Sequence, residues 1–384
     1  MKAFCIVEKG MEKVCELELK DIIGIKSAKK EPGVVIFNCT IKQLTKFIYL
    51  TQSANRVILL LDTFAASKGI TAMKKKFITA SGRAEIKKHL KSNQKIRVDC
   101  ERVGGHDFNA MDIEALCGEC IINEAKKNKI SISASMKTPD TVFYVYLVDK
   151  NAYFGIDITT KNLSKRTYKV FNTSGTIKGT LAYALLRLGE YEPKLNILDP
   201  FCGSGTIPIE AALLSTNTSP NYFSKQFSKQ LNSKEFERID SKRTISKLKL
   251  IYGMDRELRN MKAAQKNAKI AGIDNAVQIS KCDIEWLDTK LKKGVVDRII
   301  TNPPPESKNT DMKELEKTYM ELFYQADYVL SKNGTITTLC LKTDLLEKCA
   351  KKRGYKIINR QDIYSGKQKY VVLTICRGGT NERM

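Results

Sequence analysis

Apolar and polar positions follow two different patterns along the chain. In the first 160 residues, short apolar runs and segments with helical spacing predict small α+β units. Asp112 is expected near the N-cap of one helix, and residues 137–140 have turn chemistry between two strands. Strands are predicted at 3–7, 34–39, 56–61, 95–101, 131–135 and 142–148, and helices at 41–51 and 112–127.

From about residue 174 the pattern changes to alternating strands and helices. This alternation predicts an α/β fold with a mostly parallel sheet and helices on both faces. Ligands of such sheets bind at the carboxyl ends of the strands. Strands are predicted at 197–199, 250–254, 277–281, 296–301 and 335–341, helices at 205–214, 256–271, 312–330 and 344–352, and a closing hairpin at 355–363 and 370–376.

Residues 215–250 interrupt this alternation with a basic segment that also carries phenylalanines. Such a segment could bind RNA. The alternative, which we favour for the aromatic residues, is a helical flap whose phenylalanines pack on the sheet. The phenylalanines are Phe223, Phe227 and Phe236, and the basic residues are Lys225, Lys229, Lys234, Arg238, Lys242, Arg243, Lys247 and Lys249.

The charge balance favours a polyanionic partner. The chain carries 66 Lys+Arg against 42 Asp+Glu, a formal net charge of +24. Neutralising a phosphate releases counterions, so this excess favours nucleic acid, with a solvated lysine-rich surface as the alternative. The longest apolar runs are too short to span a bilayer, and no signal-type run opens the chain. We therefore expect a cytoplasmic protein with no membrane partner.

The eleven cysteines are scattered singly, which argues against a secreted disulfide scaffold and for a reducing compartment. Cys117 and Cys120 form a CxxC pair, which supplies at most two metal ligands. The two histidines, His89 and His106, lie upstream and form no HxxxH pair. We expect no metal site, and interpret Cys117 and Cys120 as small apolar residues on a helix.

A glycine loop, DPFCGSGT at residues 199–206, follows a predicted strand and opens a predicted helix. Gly203 and Gly205 permit tight turning and close approach of the backbone to a ligand. Pro208 excludes the dinucleotide pattern GxGxxG. Asp199 would repel a pyrophosphate but suits the cationic end of S-adenosylmethionine (AdoMet), which makes AdoMet the expected cofactor.

Two further acids follow later strands. Asp255 is placed to accept the two ribose hydroxyls of a nucleoside, and Asp283 could accept a hydrogen bond from an adenine amino group. Either one alone would be an ordinary surface carboxylate. The residues expected to bind the cofactor are Asp199, Pro200, Phe201, Gly203, Gly205, Thr206, Asp255, Arg256, Cys282, Asp283 and Asn302.

Asn302-Pro303-Pro304 follows the predicted strand 296–301. An exocyclic amine is a poor nucleophile because its lone pair is delocalised into the ring. The Asn302 side chain and the Pro303 carbonyl could accept its two hydrogens and orient it toward a sulfonium methyl. The prolines stiffen the loop. We therefore expect Asn302, Pro303 and Pro304 to be the catalytic residues, although a lone motif of this kind would indicate only a rigid turn.

These motifs resemble those of the THUMP-domain RNA methyltransferases that make N2-methylguanosine, including tRNA enzymes and their ribosomal RNA relatives. The resemblance rests on the sequences DPFCGSGTIPIEAAL, YGMD and TNPP, and upstream on YFGID, KRTY and IRVDCER. It implies a ferredoxin-like domain at 1–60, a THUMP domain at 61–160 and a Rossmann-like class I methyltransferase domain with a seven-stranded sheet at 161–384. It also implies AdoMet as cofactor and RNA as partner, with tRNA favoured over ribosomal RNA. We expect the enzyme to be a monomer.

The chain departs from this family directly after Asn-Pro-Pro, where an aromatic residue followed by glycine is usual. Pro305 and Glu306 occupy these positions. A flipped-out base would lose its stacking partner and meet a negative charge. An active enzyme is favoured, while an RNA-binding protein without turnover, adenine-N6 methylation and glutamine methylation remain open. Cytosine-C5 chemistry is disfavoured because the loop at 302–306 contains no cysteine nucleophile.

Overall fold

The computed structural model describes residues 1–228, 231–244, 250–307 and 310–378. Within them, the first half of the chain forms a mixed eight-stranded sheet in the order β2-β3-β1-β4-β8-β7-β5-β6. Its elements are β1 Lys2–Ile6, α1 Glu12–Ile23, β2 Lys29–Glu31, β3 Val34–Asn38, α2 Ile41–Leu50, β4 Arg56–Ala65, α3 Ile70–Arg83, β5 Gln94–Val103, α4 Ala110–Lys127, β6 Ile132–Ala134, β7 Thr141–Val148 and β8 Asn151–Asp157.

Helix α4 confirms the prediction for the region around Asp112. Asn109 is the N-cap, and Asp112 completes a capping box in which each side chain accepts a hydrogen bond from the other residue's backbone N–H, at 2.8 and 3.0 Å. Cys117 and Cys120 are buried on this helix, as predicted for small apolar residues. Among the described residues, no group of three or more potential ligands is arranged to hold a metal ion.

The second half forms the other sheet, in the order β11-β10-β9-β12-β13-β15-β14. Pairings from β11 to β13 are parallel and the last two are antiparallel, which confirms the predicted seven-stranded, mostly parallel sheet and its closing hairpin. The elements are α5 Gly179–Leu188, β9 Ile197–Asp199, α6 Thr206–Ser215, α7 Ser233–Asp240, β10 Ile251–Asp255, α8 Leu258–Ala271, β11 Gln278–Lys281, α9 Leu287–Lys290, β12 Val296–Thr301, α10 Met312–Val329, β13 Leu330–Cys340, α11 Asp344–Lys352, β14 Tyr355–Ser365 and β15 Gln368–Arg377.

The two faces of this sheet bury different cores. Helices α5, α6 and α8 contribute to a core that continues into α1 and α2 of the first half. Helices α10 and α11 cover the opposite face. The first half of the chain is therefore built against the helix layer that follows the glycine loop.

A buried polar cluster joins the two halves beneath that loop. Arg166 and Glu210 form an ion pair with Nε–Oε1 and Nη2–Oε2 distances of 2.8 and 3.0 Å, and both side chains are almost fully buried. Gln52 donates to Glu210 Oε2 at 2.7 Å and accepts from Arg166 at its carbonyl at 2.6 Å. Tyr168 donates to Glu210 Oε1 at 2.7 Å. These bonds satisfy the buried charges and fix α6 against the loop after α2.

The segment at 215–250 packs partly as predicted. Phe227 and Phe236 contact Tyr49 of α2, with ring centroids 6.4 and 4.5 Å away, so their partner is this helix rather than the sheet. The packing prediction is wrong for Phe223, whose side chain is 67% exposed. Of the predicted basic residues, Lys229, Lys247 and Lys249 lie outside the described residues.

The proposed domain boundaries at residues 60 and 160 stay predictions. Residue 60 lies inside β4, which pairs antiparallel with both β1 and β8. The first two proposed domains therefore share one sheet. No helix among the described residues is long and apolar enough to cross a membrane.

Candidate active site

A cavity of about 650 Å³ opens at the carboxyl ends of β9, β10 and β12. The glycine loop forms its floor, and Gly203 adopts a φ of +54° that favours glycine. The Gly203 N–H donates to Asp255 Oδ2 at 3.0 Å, which ties the loop to the end of β10. The predicted residues that line the cavity are Asp199, Pro200, Phe201, Gly203, Thr206, Asp255, Arg256, Asp283, Asn302, Pro303 and Pro304.

Gly205 and Cys282 are predicted site residues that lie outside the cavity wall. Gly205 has a φ of +82° and packs against α8, where an added Cβ would lie 2.9 Å from the Ala264 Cβ. Its role is close packing of α6 against α8. The Cys282 side chain is buried in the core beneath α10, and its N–H donates to the Asp255 carbonyl at 3.0 Å. The structure therefore brings only the backbone of Cys282 close to the site.

Asp199 is the most deeply buried acid of the cavity, at 2% exposure. Its Oδ1 accepts hydrogen bonds from the Thr301 hydroxyl at 2.6 Å and from the Phe201 N–H at 3.2 Å. Burial raises the pKa of this carboxyl from 3.8 to about 7, against the opposing effect of those two bonds, and the charge of Asp255 adds to the rise. A cationic ligand would restore the ionised form.

Asp255 uses its two oxygens unequally. Oδ1 accepts from the Glu257 N–H at 2.9 Å and from Asn260 Nδ2 at 3.0 Å, while Oδ2 accepts, among the described residues, only from Gly203. Since a carboxylate oxygen accepts about two hydrogen bonds, Oδ2 keeps capacity for a further donor. Asn260, which also lines the cavity, has no counterpart in the sequence-based prediction.

Asn302 follows β12 and faces a segment that the sequence did not reveal. Its Nδ2 donates to the carbonyl of Gly175 at 3.1 Å, which leaves Oδ1 as an acceptor. Residues 170–177, here called the strap, contain Gly175 and precede α5. Thr173 to Ile177 line the cavity beside Asn302. The strap therefore forms a wall of the site and orients the Asn302 amide.

Asn267 on α8 holds the strap in place. Its Oδ1 accepts from the N–H groups of Val170 and Phe171, at 3.2 and 3.0 Å. Its Nδ2 donates to the carbonyls of Phe171 and Ser204, at 2.9 and 3.0 Å. Asn267 is fully buried and joins the strap to the glycine loop. Neither residue type nor spacing marks Asn267 in the sequence, because its partners are backbone groups 63 and about 96 residues away.

The other end of the strap is held by Lys169. Its ammonium group donates to the carbonyl of Ile177. Burial lowers the pKa of Lys169 to about 8, with the charge of Arg166 acting in the same direction and Glu210 opposing it. The strap is thus tied to the buried polar cluster as well as to α8.

A smaller cavity of about 130 Å³ adjoins the large one. Asn302 and Pro303 line both cavities, together with Pro305 and strap residues 175–177. The remaining walls come from α10 and the strands of the closing hairpin region, through Tyr319, Leu339, Cys340, Leu341, Lys342 and Tyr370. Two chambers of different size therefore meet at Asn302 and Pro303.

The large cavity is acidic although the chain as a whole is strongly basic. Eight carboxylates and three cations line it among the described residues, so its wall attracts cations. The acids are Asp199, Asp255, Glu257, Asp283, Glu285, Asp311, Glu314 and Glu321, and the cations are Arg256, Arg259 and Lys317.

Comparison with known proteins places this site in a family. The family described as "RMKL-like, methyltransferase domain" matches residues 166–370, more than half of the chain, and spans both cavities. The chain belongs to this family. The family described as "THUMP domain" matches residues 74–157 of the same RMKL-like methyltransferase. The predicted family resemblance and fold class are confirmed.

Individual relatives cover the RMKL-like methyltransferase to different extents. A tRNA (guanine(6)-N2)-methyltransferase of Methanocaldococcus jannaschii is 26% identical over 376 residues, covering 95% of this chain and 97% of the relative. A ribosomal RNA large subunit methyltransferase K/L of Vibrio parahaemolyticus is 24% identical over 315 residues, covering 78% of this chain and 43% of the relative. The solved structure of SMU.472 complexed with SAH is 22% identical with a TM-score of 0.81, over 100% and 99% of the two chains, and shares the fold.

The residues after Asn-Pro-Pro are accommodated in this RMKL-like methyltransferase. Glu306 pairs with Lys342 at 3.2 Å, so its charge is neutralised within the protein. The Tyr319 hydroxyl donates to the Pro304 carbonyl at 2.6 Å, which fixes the loop from the side of α10. Pro305 lines both cavities. The negative charge expected at Glu306 is therefore compensated.

Cys202 of the glycine loop lines the large cavity. Burial raises the pKa of its thiol well above the ordinary value, and the charges of Asp199 and Asp255 act in the same direction. A protonated thiol is a poor nucleophile. This electrostatic setting is unfavourable for covalent attack by Cys202.

Proposed function

We propose that this RMKL-like methyltransferase transfers a methyl group from AdoMet to the N2 amine of a guanine in tRNA. The observation that carries the proposal is the junction of the two cavities at Asn302 and Pro303. A donor in the large cavity and a base in the small one would meet at the two acceptors that an exocyclic amine requires.

The large cavity suits AdoMet in its charge and in its hydrogen-bonding groups. Asp199 and the acidic wall suit a ligand with a sulfonium and an ammonium group. The free capacity of Asp255 Oδ2 suits a ribose hydroxyl, and Asp283 at the rim is available to an adenine amine. When bound, AdoMet supplies an electrophilic methyl group.

The chain's own residues would prepare the amine. Asn302 Oδ1 and the Pro303 carbonyl accept its two hydrogens and turn its lone pair toward the donor. The hydrogen bond to Gly175 keeps the Asn302 amide in the required orientation. Tyr319 keeps the Pro304 carbonyl, and with it the loop, in place. Asn302 Oδ1 and the Pro303 carbonyl would stabilise the positive charge that develops on the amine, which would then lose one proton to water to give the neutral methylated base.

The tRNA assignment rests on a relative that matches along nearly the whole chain. The archaeal relative, named a tRNA (guanine(6)-N2)-methyltransferase, aligns over 97% of its length. A THUMP domain and a net charge of +24 are consistent with an RNA substrate. Guanine N2 is the exocyclic amine that this relative's name specifies.

The test is methyl transfer from labelled AdoMet to unmodified tRNA transcripts, followed by mass spectrometry of the nucleosides. N2-methylguanosine is the expected product. Asn302→Ala should lower kcat by about 100- to 1000-fold, since it removes one acceptor from the transition state. Transfer that survives Asn302→Ala undiminished contradicts the role of Asn302.

A matched control separates chemistry from cofactor binding. Thr310→Ala changes a neighbouring side chain that lines the large cavity and bonds to Ser307 rather than to the proposed ligands. Thr310→Ala should keep its AdoMet affinity, measured by calorimetry, within about threefold and its kcat near that of wild type. The calorimetric AdoMet affinity of Asn302→Ala shows how much of its lost activity comes from cofactor binding and how much from the reaction step. No transfer by the wild-type chain to any RNA, despite tight RNA binding, would favour an RNA-binding protein without turnover.

Ribosomal RNA is the second candidate substrate. The K/L relative supports it, and this chain spans less than half of that relative's length. The same assay with protein-free ribosomal RNA and tRNA side by side distinguishes the candidates by which RNA acquires N2-methylguanosine. We further propose a monomer acting in the cytoplasm, consistent with the eleven free thiols, and sedimentation velocity tests the monomer.

A further inference from the structure

The outward face of helix α8 carries positive charge and no negative charge. Its four charged residues, Arg259, Lys262, Lys266 and Lys269, are all cationic and exposed. None of them forms an ion pair with any residue that the structure describes. Like charges three or four positions apart repel each other on a helix, so this face weakens α8 slightly instead of stabilising it.

Charged residues on the opposite side of the sheet are arranged differently. On α10, Lys317 pairs with Glu285 at 2.7 Å, and Glu316 pairs with Lys352 of α11 at 2.9 Å. Lys317 and Lys352 are thus compensated by neighbouring acids, whereas α8 contains no acidic residue that could compensate its four cations.

An exposed aromatic ring adjoins the middle of this basic face. The Phe171 side chain is 37% exposed, and the Lys266 ammonium lies 4.7 Å from its ring centroid. The backbone of Phe171 is held by the fully buried Asn267. The backbone that carries this ring is thus held in place, while part of the side chain remains exposed to solvent.

A second exposed ring lies at the carboxyl end of α8. Phe223 is 67% exposed, yet Gly272 and Tyr222 fix its position. A Cβ at Gly272 would lie 2.9 Å from Phe223 Cε2, so the absence of a side chain there makes room for the ring. The Tyr222 ring contacts it at 4.7 Å, and the Arg243 guanidinium covers Tyr222 at 3.9 Å.

This surface is continuous with the active site. Arg259 lines the large cavity, and Lys269 lies ten residues further along α8, about 15 Å away at the rise of a helix. The strap leads from Phe171 back to Gly175, which contacts Asn302. A chain that leaves the small cavity could therefore follow the strap onto α8.

We propose that Arg259, Lys262, Lys266, Lys269, Phe171 and Phe223, here called the α8 track, bind the unpaired RNA strand beside the target nucleotide. This inference rests on the proposed function, because it requires an RNA substrate. Bases stack on the Phe171 and Phe223 rings, and the four cations neutralise successive phosphates. Single rings flanked by cations suit a nucleotide chain, which alternates flat bases with phosphates.

The charge part of the proposal is tested with the full chain and a fluorescent, unmodified tRNA transcript at several KCl concentrations. Lys262→Gln/Lys266→Gln/Lys269→Gln should weaken binding by more than tenfold near 0.1 M salt. The slope of log Kd against log salt should fall by about 2, because each phosphate that is no longer neutralised reduces it by about 0.7. AdoMet affinity should stay within twofold, which reports an intact fold.

A matched control removes the same charge elsewhere. Lys290, Lys292 and Lys293 are exposed and adjoin Leu287 and Leu291, which belong to the core on the opposite face of the sheet. Changing these three lysines to glutamine should alter the salt slope by less than about 0.5. Equal effects of the two triple variants would overturn the α8 track and leave the proposed function standing.

The stacking part is tested with Phe171→Ala and Phe223→Ala. Each should weaken binding by about tenfold without changing the salt slope, because the RNA base has no ring to stack on and no charge is removed. Phe223→Trp should restore binding. Unchanged affinity in both alanine variants, or a change in self-association by sedimentation instead, would overturn the proposal. A wild-type chain that binds no RNA would overturn the proposed function as well.

Discussion

The Thr301 hydroxyl donates a 2.6 Å hydrogen bond to Asp199 Oδ1. Thr301 is the last residue of β12 and directly precedes Asn302, so the acid of the glycine loop and the proposed catalytic amide sit on adjoining strand ends joined by this bond. A change in the ionisation of Asp199 therefore alters the hydrogen bond of Thr301, the residue directly before Asn302.

Asp199→Asn should separate stability from cofactor binding. The raised pKa means that the folded chain holds a proton that the unfolded chain releases between pH 3.8 and about 7. The free energy of unfolding of the unliganded wild type therefore falls as pH rises through that window. The asparagine variant escapes this loss and should be more stable above pH 7, by up to about 4 kcal/mol.

The same variant should bind AdoMet about 10- to 100-fold more weakly, since an amide cannot neutralise a cation. Thermal unfolding at pH 5 and pH 8, with and without AdoMet, measures both effects. Wild-type affinity should increase from pH 6 to pH 8 as Asp199 ionises. Glu321→Gln removes a charge from the same cavity wall and serves as control. An Asp199→Asn variant that is no more stable than wild type at pH 8 would contradict the raised pKa of Asp199.

Asn267→Ala should loosen the strap although Asn267 lines neither the proposed AdoMet cavity nor the proposed base cavity. The substitution removes four hydrogen bonds to the backbone of the strap and the glycine loop, two accepted by Oδ1 and two donated by Nδ2. Buried backbone groups are then left unpaired. We expect about a tenfold loss of AdoMet affinity and a larger loss of kcat, because Gly175 no longer orients Asn302.

Gln265→Ala is the control for Asn267→Ala. Gln265 lies on the same helix, is exposed, and donates to the carbonyl of Ile279 at 3.2 Å. We expect Gln265→Ala to have near-wild-type AdoMet affinity by calorimetry and a near-wild-type rate of single-turnover methyl transfer. Equal kcat values for the two variants would show that the strap has no influence on the reaction.

Arg166→Met should destabilise the fold through the charge that it leaves behind. Glu210 is fully buried, and losing its cation costs about 3–5 kcal/mol. Adding Glu210→Gln removes the unpaired charge and should recover part of that loss, while Tyr168 and Gln52 keep hydrogen-bond partners. Urea unfolding compares the single and double variants. A double variant less stable than Arg166→Met would contradict this account.

The sequence predicted most of the second sheet because its βα units are regular and each motif follows a strand. Asp199, Asp255 and Asn302 were found in this way, and the structure brings them to one cavity. Their neighbourhood follows from topology, since parallel strands end at the same edge of the sheet. For Gly205 and Cys282 a role in cofactor binding stays a prediction, since Gly205 packs toward Ala264 and the Cys282 side chain lies in the core.

The remaining parts of the site depend on contacts between distant segments. The strap has no hydrophobic periodicity and is held by the Asn267 side chain. Glu306 pairs with Lys342, 36 positions further along the chain. The sequence alone showed only the negative charge of Glu306 and not the lysine that neutralises it. In the sequence, Phe223, Phe227 and Phe236 are three phenylalanines of the same basic segment, and nothing distinguishes them. In the structure, Phe227 and Phe236 pack because they reach Tyr49, whereas Phe223 is exposed.

The buried cluster of Gln52, Arg166 and Glu210 also bears on the order in which the two halves of the chain fold during synthesis. Gln52 and the helix α2 that precedes it leave the ribosome more than 100 residues before Glu210. The surface that receives α6 can therefore be complete before the glycine loop emerges. A catalytic half produced without the first 160 residues would lack that surface, and the polar groups of Arg166 and Glu210 would lose their partners in Gln52.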